Sequence, residues 1–510
     1  MPLLLGAAAI LLAIGPASAV LTGLVVRRQE IRPGAWSPSI PLLATTIAWA
    51  VGIGTIAAVI ALPSAWVMRG RPWERAVFWL VPLAMPSYLC YTAYGLARAP
   101  GTWLGDLVER AAQEGWTGLP VLVGRMLAVG GLALWAWPLA AMVMAVGFGR
   151  LDSGLLDALR LEPWGPARRA WVIGRLCWRW VAGGVAIVAL VMFGSAVPLH
   201  LANAPTYAVR AWFELTLSPG GPSVWVSAWP VLAVAGVAGW WLTRTTSDAG
   251  AGQREAAPVR GVSLWLARAV WACSTVVPLC LCAWSLRDWG SLVTFWRVSG
   301  GAVGQSAGVA LLVGLVTLFL GMAVWAAATS GGGASRGAAR ALCGVLVGFS
   351  LIPGVLVGRA IVECVQLVPG LGAIAEGPGM LVWAHAARFS WLGAVTGMLL
   401  AAREARALAD LRRLDGSGLV SWLVVCLPRG WGAVACAAAG AAALSVHEIE
   451  ASIIVQPPGS VSLAQTLLGD LHFARSEELA AGVLQVLVLT WGMAAAASWL
   501  GGRVRTGIRA

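Results

Sequence analysis

Ionisable side chains inside long apolar stretches are the first candidates for a functional site in this sequence. Arg359 and Glu363 lie four residues apart, a spacing that lets two side chains on one helix form an ion pair. Glu448 and Glu450 lie two apart, so on a regular helix they point to different faces and cannot share one partner. Because a lone charge at the centre of a bilayer costs at least about 2.5 to 3.5 kcal/mol, we expect partners for them across the helix bundle. The candidate partners are Arg125, His385 and Arg388.

The two glutamates leave two interpretations open. Glu448, with Glu450, could line a translocation path, where a carboxylate meets or repels a cation, or it could make a hydrogen bond that packs helices together. The apolar run around Glu448 continues to Val455 and breaks at 457–459, a Pro-Pro-Gly turn. This places the carboxylate roughly two to three helical turns from the outer end of a helix with ~3.6 residues per turn.

Enzymatic chemistry has few candidates here. All 35 basic residues are arginine, which excludes a Walker A ATPase and a Schiff-base enzyme, since both need lysine. The four histidines and nine cysteines form no ligand motif, and no nucleophile, base and orienting group stand out together. We therefore expect no enzyme activity, no cofactor and no metal site.

Composition indicates which elements must position the charged residues. The chain has 510 residues, 59% hydrophobic and only 11% charged, whereas a soluble domain has roughly 25% charged residues. Because one crossing needs about 20 apolar residues, we predict an all-α polytopic membrane protein with about twelve transmembrane helices. The twelve runs are 3–26, 41–68, 77–97, 121–148, 181–200, 223–243, 264–286, 302–328, 341–368, 380–402, 431–455 and 480–501.

The runs fall into two sets of six, separated by a polar stretch. We predict a first six-helix unit over 1–242, a linker over 243–262 and a second unit over 263–510. Internal similarity supports two parallel six-helix repeats, because a group of residues recurs at a constant offset of 253. The group is Asp157, Arg160, Leu161, Glu162 and Gly165, matched by Asp410, Arg413, Leu414, Asp415 and Gly418.

Arginine placement predicts the orientation. The net charge of +13 comes mostly from loops that fall on one side of a twelve-crossing model, and this side should be cytoplasmic. We therefore read the charge as a topology signal and expect no nucleic-acid partner. One loop disagrees, since Arg27, Arg28 and Arg32 would lie outside. The first run contains Ala17-Ser18-Ala19, so it is either a retained helix or a cleaved signal, and both place 27–40 outside.

The two longest cytoplasmic loops, 150–180 and 403–430, each begin with an amphipathic stretch followed by a turn. Such a helix can dock a soluble partner or lie on anionic lipid, and composition leaves both open. The loops resemble the EAA loops of binding-protein-dependent ABC transporter permeases. Asp157-Ala158 begins the first copy, and Asp410, followed by Gly416 at the motif's spacing, begins the second.

The stretch 445–481 resembles the region after the second EAA loop in iron(III)-type permeases. The matching features are Glu448, Ala451-Ser452, the Pro-Pro-Gly turn and Leu463-Ala464. The resemblance implies the fused, two-unit permease of an iron(III) or thiamine type importer in the cell inner membrane. Its implied partners are the lipid bilayer, two cytoplasmic ATPase subunits, one at each loop, and an extracytoplasmic solute-binding protein.

Other interpretations remain open. Phosphonate, polyamine and molybdate or sulfate importers are alternatives to iron(III) or thiamine within the same class. A secondary transporter is also commonly built from two repeats, and it predicts ion-coupling carboxylates near broken helices without docking loops.

The orientation gives a first testable prediction. In a cysteine-depleted background, Gly250→Cys in the linker should be labelled by a membrane-impermeant maleimide only after the membrane is opened, because the arginine distribution places the linker inside. A cysteine in the loop near 201–222 is the matched outside control and should label in intact cells. Labelling of position 250 from outside would overturn the twelve-crossing orientation.

Overall fold

The computed structural model describes residues 2–69, 81–95, 98, 101–217, 221–246, 261–286, 288–330, 332–404, 406–414, 419–473 and 475–509. Helices and short connections make up this part of the chain, and it contains no strand. A lipid-embedded backbone must satisfy its own N–H and C=O groups, and a helix does so within one segment. The prediction of an all-α, multi-pass membrane protein is confirmed.

The first half contains α1 to α13, with a π-helical turn at Ile10–Ile14 and 3₁₀ turns at Arg28–Glu30 and Val81–Ala84. The helices are α1 Pro2–Ala9, α2 Gly15–Val26, α3 Ile40–Met68, α4 Ser87–Gly95, α5 Trp103–Gln113, α6 Leu119–Phe148, α7 Ser153–Leu161, α8 Pro166–Leu176, α9 Trp178–Phe193, α10 Val197–Leu201, α11 Tyr207–Leu217, α12 Ser223–Ser227 and α13 Trp229–Thr246.

The second half contains α14 to α26. These are α14 Val262–Ser285, α15 Gly290–Thr329, α16 Gly333–Ser350, α17 Gly354–Leu367, α18 Gly372–Ala375, α19 Gly379–Phe389, α20 Trp391–Ala402, α21 Arg406–Leu414, α22 Leu419–Val425, α23 Leu427–Val446, α24 Ser452–Val455, α25 Leu463–His472 and α26 Ser476–Arg509. Of the predicted linker, 247–260 lies outside the described residues.

Six helices within the described ranges are long and apolar enough to cross a membrane, or eight if each of two bent pairs is one span. The count of twelve crossings stays a prediction. Several predicted runs are divided by breaks. The run 341–368 is α16 and α17, bent by 114°, and the run 380–402 is α19 and α20. Proline explains the first division, because Pro353 cannot donate a helical hydrogen bond and restricts the residue before it.

Each half is built around a trio of packed helices. In the first half α3, α6 and α9 pack against one another, and in the second half α15, α20 and α23 do the same. Glycines permit this close approach, as transmembrane packing commonly requires. A Cβ at Gly54 on α3 would lie 2.7 Å from the carbonyl oxygen of Val185 on α9, and one at Gly321 on α15 would lie 2.9 Å from that of Gly393 on α20.

The first helices of the two halves pack across to the opposite half. Helices α1 and α2 pack against α16 and α17, whereas α14, which opens the second half, packs against α3 and α4. The two halves also meet where α13 packs on α16, and there Gly239 lies against the backbone of Gly344 and Gly348. The halves therefore form one interlocked bundle.

Candidate functional site

Three breaks in the helices meet at a buried polar cluster. They are the residues between α9 and α10, between α16 and α17, and between α23 and α24. Gly194, in the first break, lies against the backbone of Leu351 in the second. A helix that begins inside a bundle has N–H groups without helical partners, so such a junction needs acceptors.

Glu450 supplies these acceptors. Its Oε1 accepts hydrogen bonds from the N–H groups of Ala196 at 2.6 Å and Val197 at 3.2 Å, where α10 begins. Its Oε2 accepts from the N–H of Gly354 at 3.0 Å, at the start of α17. A carboxylate is favoured at helix N-termini, which carry partial positive charge. Glu450 thus joins the two halves through backbone groups of both.

Arg388, at the end of α19, is the cationic partner of both glutamates. Its Nη1 donates to Oε1 of Glu448 and, at 3.4 Å, to Oε2 of Glu450. The prediction of Arg388 as a partner is confirmed, but the prediction that the two glutamates cannot share one partner is wrong. Helix α23 ends at Val446, and 447–451 is not helical, so helical periodicity does not apply to these side chains.

The same break corrects the expected position of Glu448. It does not lie within a continuous helix over 431–455, because it follows the end of α23 and precedes α24. Its Oε1 also accepts a hydrogen bond from the N–H of Ala451 at 2.9 Å. Of the other candidate partners, Arg125 is exposed on α6 and lies outside the cluster, and His385 bonds to serines.

His385 is buried between two serine hydroxyls, Ser445 Oγ at 2.8 Å from Nδ1 and Ser452 Oγ at 2.8 Å from Nε2. The hydrogen bonds assign its tautomer. Ser452 donates its only proton to the carbonyl oxygen of Glu448 at 2.7 Å, so it must accept from Nε2–H. In a neutral ring Nδ1 then accepts from Ser445. His385 thereby fixes the start of α24 against the end of α23.

A small cavity opens beside this cluster. Its lining includes both Glu448 and His385, while Glu450 is not part of it. The buried hydroxyl of Tyr88, on α4 of the first half, has no hydrogen-bond partner among the described residues. The complete lining is Gln305, Ser306, Val309, Leu381, His385, Ser445, Val446, Glu448 and Ser462.

The first half has no equivalent charge cluster at the offset of 253. The positions that correspond to His385, Arg388, Glu448 and Glu450 hold Leu132, Trp135, Ser195 and Val197. Trp135 instead donates its indole N–H to the carbonyl oxygen of Met85 at 2.7 Å, at the break before α4. In the first half, an indole N–H therefore pairs with a backbone carbonyl at a helix break. In the second half, the Glu450 carboxylate pairs with backbone N–H groups at such breaks.

The predicted ion pair on α17 is also confirmed. Nε of Arg359 lies 2.9 Å from Oε1 of Glu363, and the indole N–H of Trp225 donates to the same oxygen at 3.2 Å. Neither Arg359 nor Glu363 lines the cavity beside Glu448, which fits the structural ion pair that their spacing predicted.

Helices occupy both predicted coupling stretches. Asp157 and Ala158 are exposed on α7, Asp410 is exposed on α21, and Gly165 caps the start of α8. Arg160 and Arg413 belong to these two helices. Gly416 and Gly418 lie outside the described residues.

An anchor for α21 was missed by the sequence analysis. Arg412 forms a two-point ion pair with Glu404 at 2.8 and 2.9 Å and donates to the carbonyl oxygen of Thr329 at 2.8 Å. Burial raises the pKa of the nearby Cys426 thiol to about 11, so the thiol stays protonated and lies 3.6 Å from Glu404. The only sequence indication of this pair is the eight-residue spacing of Glu404 and Arg412. Because Glu404 precedes the helix that contains Arg412, helical periodicity does not relate the two residues.

Aromatic contacts fix the elements next to each loop. Trp422 on α22 packs edge-on against Trp325 at 5.1 Å between ring centroids. In the first half Trp66 packs in the same manner against Phe148 at 5.6 Å. Each loop thus adjoins an aromatic pair that includes a tryptophan from the central helix of its own half, α15 or α3.

No protein-family model matches the chain, and no curated protein or solved structure is significantly similar to it.

The ion cluster predicts a large effect of removing its cation. Arg388→Met should destabilise the folded protein by about 3 to 5 kcal/mol, because it leaves two buried carboxylates without a cation. Arg210→Met, which breaks the exposed pair with Glu214, is the matched control and should cost about 1 kcal/mol or less. Thermal unfolding in detergent measures both. Equal stability of the two variants would contradict the role of Arg388.

Proposed function

We propose that this chain is the membrane permease of an ABC importer in the cell inner membrane. Two separate ATPase subunits bind at α7 and α21 from the cytoplasm, and an extracytoplasmic binding protein delivers the solute. The observation that carries the proposal is the pair of short, exposed, amphipathic helices at matching positions of the two halves. The absence of lysine supports a separate ATPase, since the chain has no Walker A motif of its own.

The anchoring of α21 supports a mechanical role. Arg412 connects it to Thr329 at the end of α15, which packs against α20 and α23. A force on α21 would therefore reach the central helices of its half. Closure of two ATPases around ATP draws α7 and α21 together and shifts the population from inward-open to outward-open states.

The buried cluster is the proposed control point for the path. Glu448 and His385 line the cavity, and Arg388 bonds Glu448 to Glu450, which connects the two halves through the start of α10. A rotation between the halves would stretch the contacts of Glu450 with α10 first, because these cross between them. The solute class that the resemblance suggests is iron(III), with thiamine as the nearest alternative, and specificity belongs mainly to the binding protein.

One observation favours a second candidate, an ion-coupled secondary transporter. Such proteins hold coupling ions at broken helices near the middle of the membrane. Glu448 and Glu450 lie in the break between α23 and α24, and Glu450 also binds the starts of α10 and α17. His385, on α19, bonds to Ser452 at the start of α24. The paired amphipathic helices favour the importer, since an ion-coupled transporter has no need of them.

Charge reversal on the exposed face of α21 tests the docking role. Asp410→Arg should reduce the copurified ATPase by about tenfold or more, since like charges across an interface cost several kcal/mol. Glu109→Arg on α5, an exposed amphipathic helix predicted to lie outside, is the matched control and should leave the ATPase bound. Equal recovery of the ATPase with both variants would reject the docking assignment.

Substitution of Glu448 tests the path and separates the two candidates. Glu448→Gln keeps nearly the same shape, so the protein should fold, yet ATP-driven uptake into proteoliposomes should slow while the ATPase stays bound. Normal uptake with Gln, together with loss of folded protein in Glu448→Leu, would leave Glu448 only a packing role. Uptake driven by an ion gradient without any ATPase would favour the secondary transporter.

A further inference from the structure

An alternating stripe of arginine and tryptophan runs along the exposed side of α8. Arg168, Trp171 and Arg175 follow one another at spacings of three and four residues, which keeps them on one face of α8. Trp178 follows three residues later, at the start of α9. All four are exposed, and the two indoles are 61% and 59% exposed. The opposite side contributes Ile173 to the core.

The angle of α8 determines where this stripe lies. Helix α8 meets α9 at 74°, with the bend at Cys177. Because α9 is apolar and α8 carries three arginines, α9 enters the bilayer and α8 stays outside its core. A helix at this angle to a crossing helix runs close to the plane of the membrane surface.

The side chains of the stripe match the chemistry of a lipid headgroup layer. Guanidinium groups bind phosphate through paired hydrogen bonds, and tryptophan prefers the membrane interface. The two residue types also contact each other, with Arg168 4.7 Å from the ring centroid of Trp164 and Arg175 5.5 Å from that of Trp171. No acidic residue occurs between 163 and 213, so the face carries no competing anion of its own segment.

The second half provides an internal contrast. At the offset of 253 the four stripe positions hold Ser421, Val424, Pro428 and Trp431. The corresponding helix, α22, is therefore apolar where α8 is basic. The first half therefore has the stripe and the second half does not. If every helix of a cytoplasmic loop had to be basic, α22 would be basic too, so such a requirement does not explain the stripe.

We propose that the Arg/Trp stripe of α8 binds the headgroups of anionic phospholipids in the cytoplasmic leaflet. Helix α7, which precedes it, stays free to contact a protein, so the two roles of the loop are divided between its two helices. The arginines hold phosphates, and the indoles lie at the boundary between headgroups and acyl chains. The site does not depend on the ATPase or on the solute.

The test uses the full-length protein, delipidated in detergent and titrated with phosphatidylglycerol or phosphatidylcholine. Native mass spectrometry counts the bound lipids, and thermal unfolding measures the stabilisation. The test variant is Arg168→Gln/Arg175→Gln/Arg179→Gln, in which Arg179 is the exposed arginine next to Trp178 at the start of α9. The matched control, Arg336→Gln/Arg340→Gln/Arg429→Gln, removes the same charge from exposed arginines on the cytoplasmic side of the second half.

Wild type and control should bind phosphatidylglycerol in preference to phosphatidylcholine, and the stripe variant should lose this affinity by about tenfold or more. Added salt should weaken the wild-type preference, because phosphate binding by arginine is screened. Equal phosphatidylglycerol binding by the stripe variant and the control would overturn the proposal. So would loss of the copurified ATPase in the stripe variant with its lipid binding intact, which would make the stripe a protein-docking surface.

Discussion

The structure depends on neutralising charge where helices begin inside the bundle. Glu448 and Glu450 bring two negative charges into a buried region, and Arg388 compensates one of them. The N–H groups at the starts of α10 and α17 supply the rest of the positive potential. The broken helices and the buried carboxylates therefore stabilise each other: a continuous helix would have no free N–H groups to offer, and without Glu450 the breaks would leave such groups unsatisfied.

Much of the fold was accessible from the sequence, but the site was accessible only in part. Apolar runs predicted the helical membrane class, and the spacing of Arg359 and Glu363 predicted their pair. The break at 447–451 left no such signal, since no proline or glycine occurs within it and apolar residues flank it on both sides. Helical periodicity does not hold for residues 447–451, so it cannot predict that Arg388 contacts both Glu448 and Glu450.

Each half contains three helices that pack against one another. The trios are α3, α6 and α9 in the first half and α15, α20 and α23 in the second, and an aromatic pair adjoins each loop. Polar groups are distributed unevenly, with Trp135 at the break before α4 and the ion cluster at the break before α17. The two halves therefore differ in their charged groups. The second half contains the buried ion cluster, and the first half contains the basic surface helix α8.

The crossed-over packing of the first helices has a consequence for biosynthesis. Helices α1 and α2 are synthesised well before α16 and α17, against which they pack, because the rest of the first half and α14 and α15 come between them. At roughly 5 to 20 residues per second, the delay is on the order of tens of seconds. During this time the opening helices must wait in the bilayer without their final neighbours. The first half cannot complete its packing until translation is well into the second, so the two halves mature together.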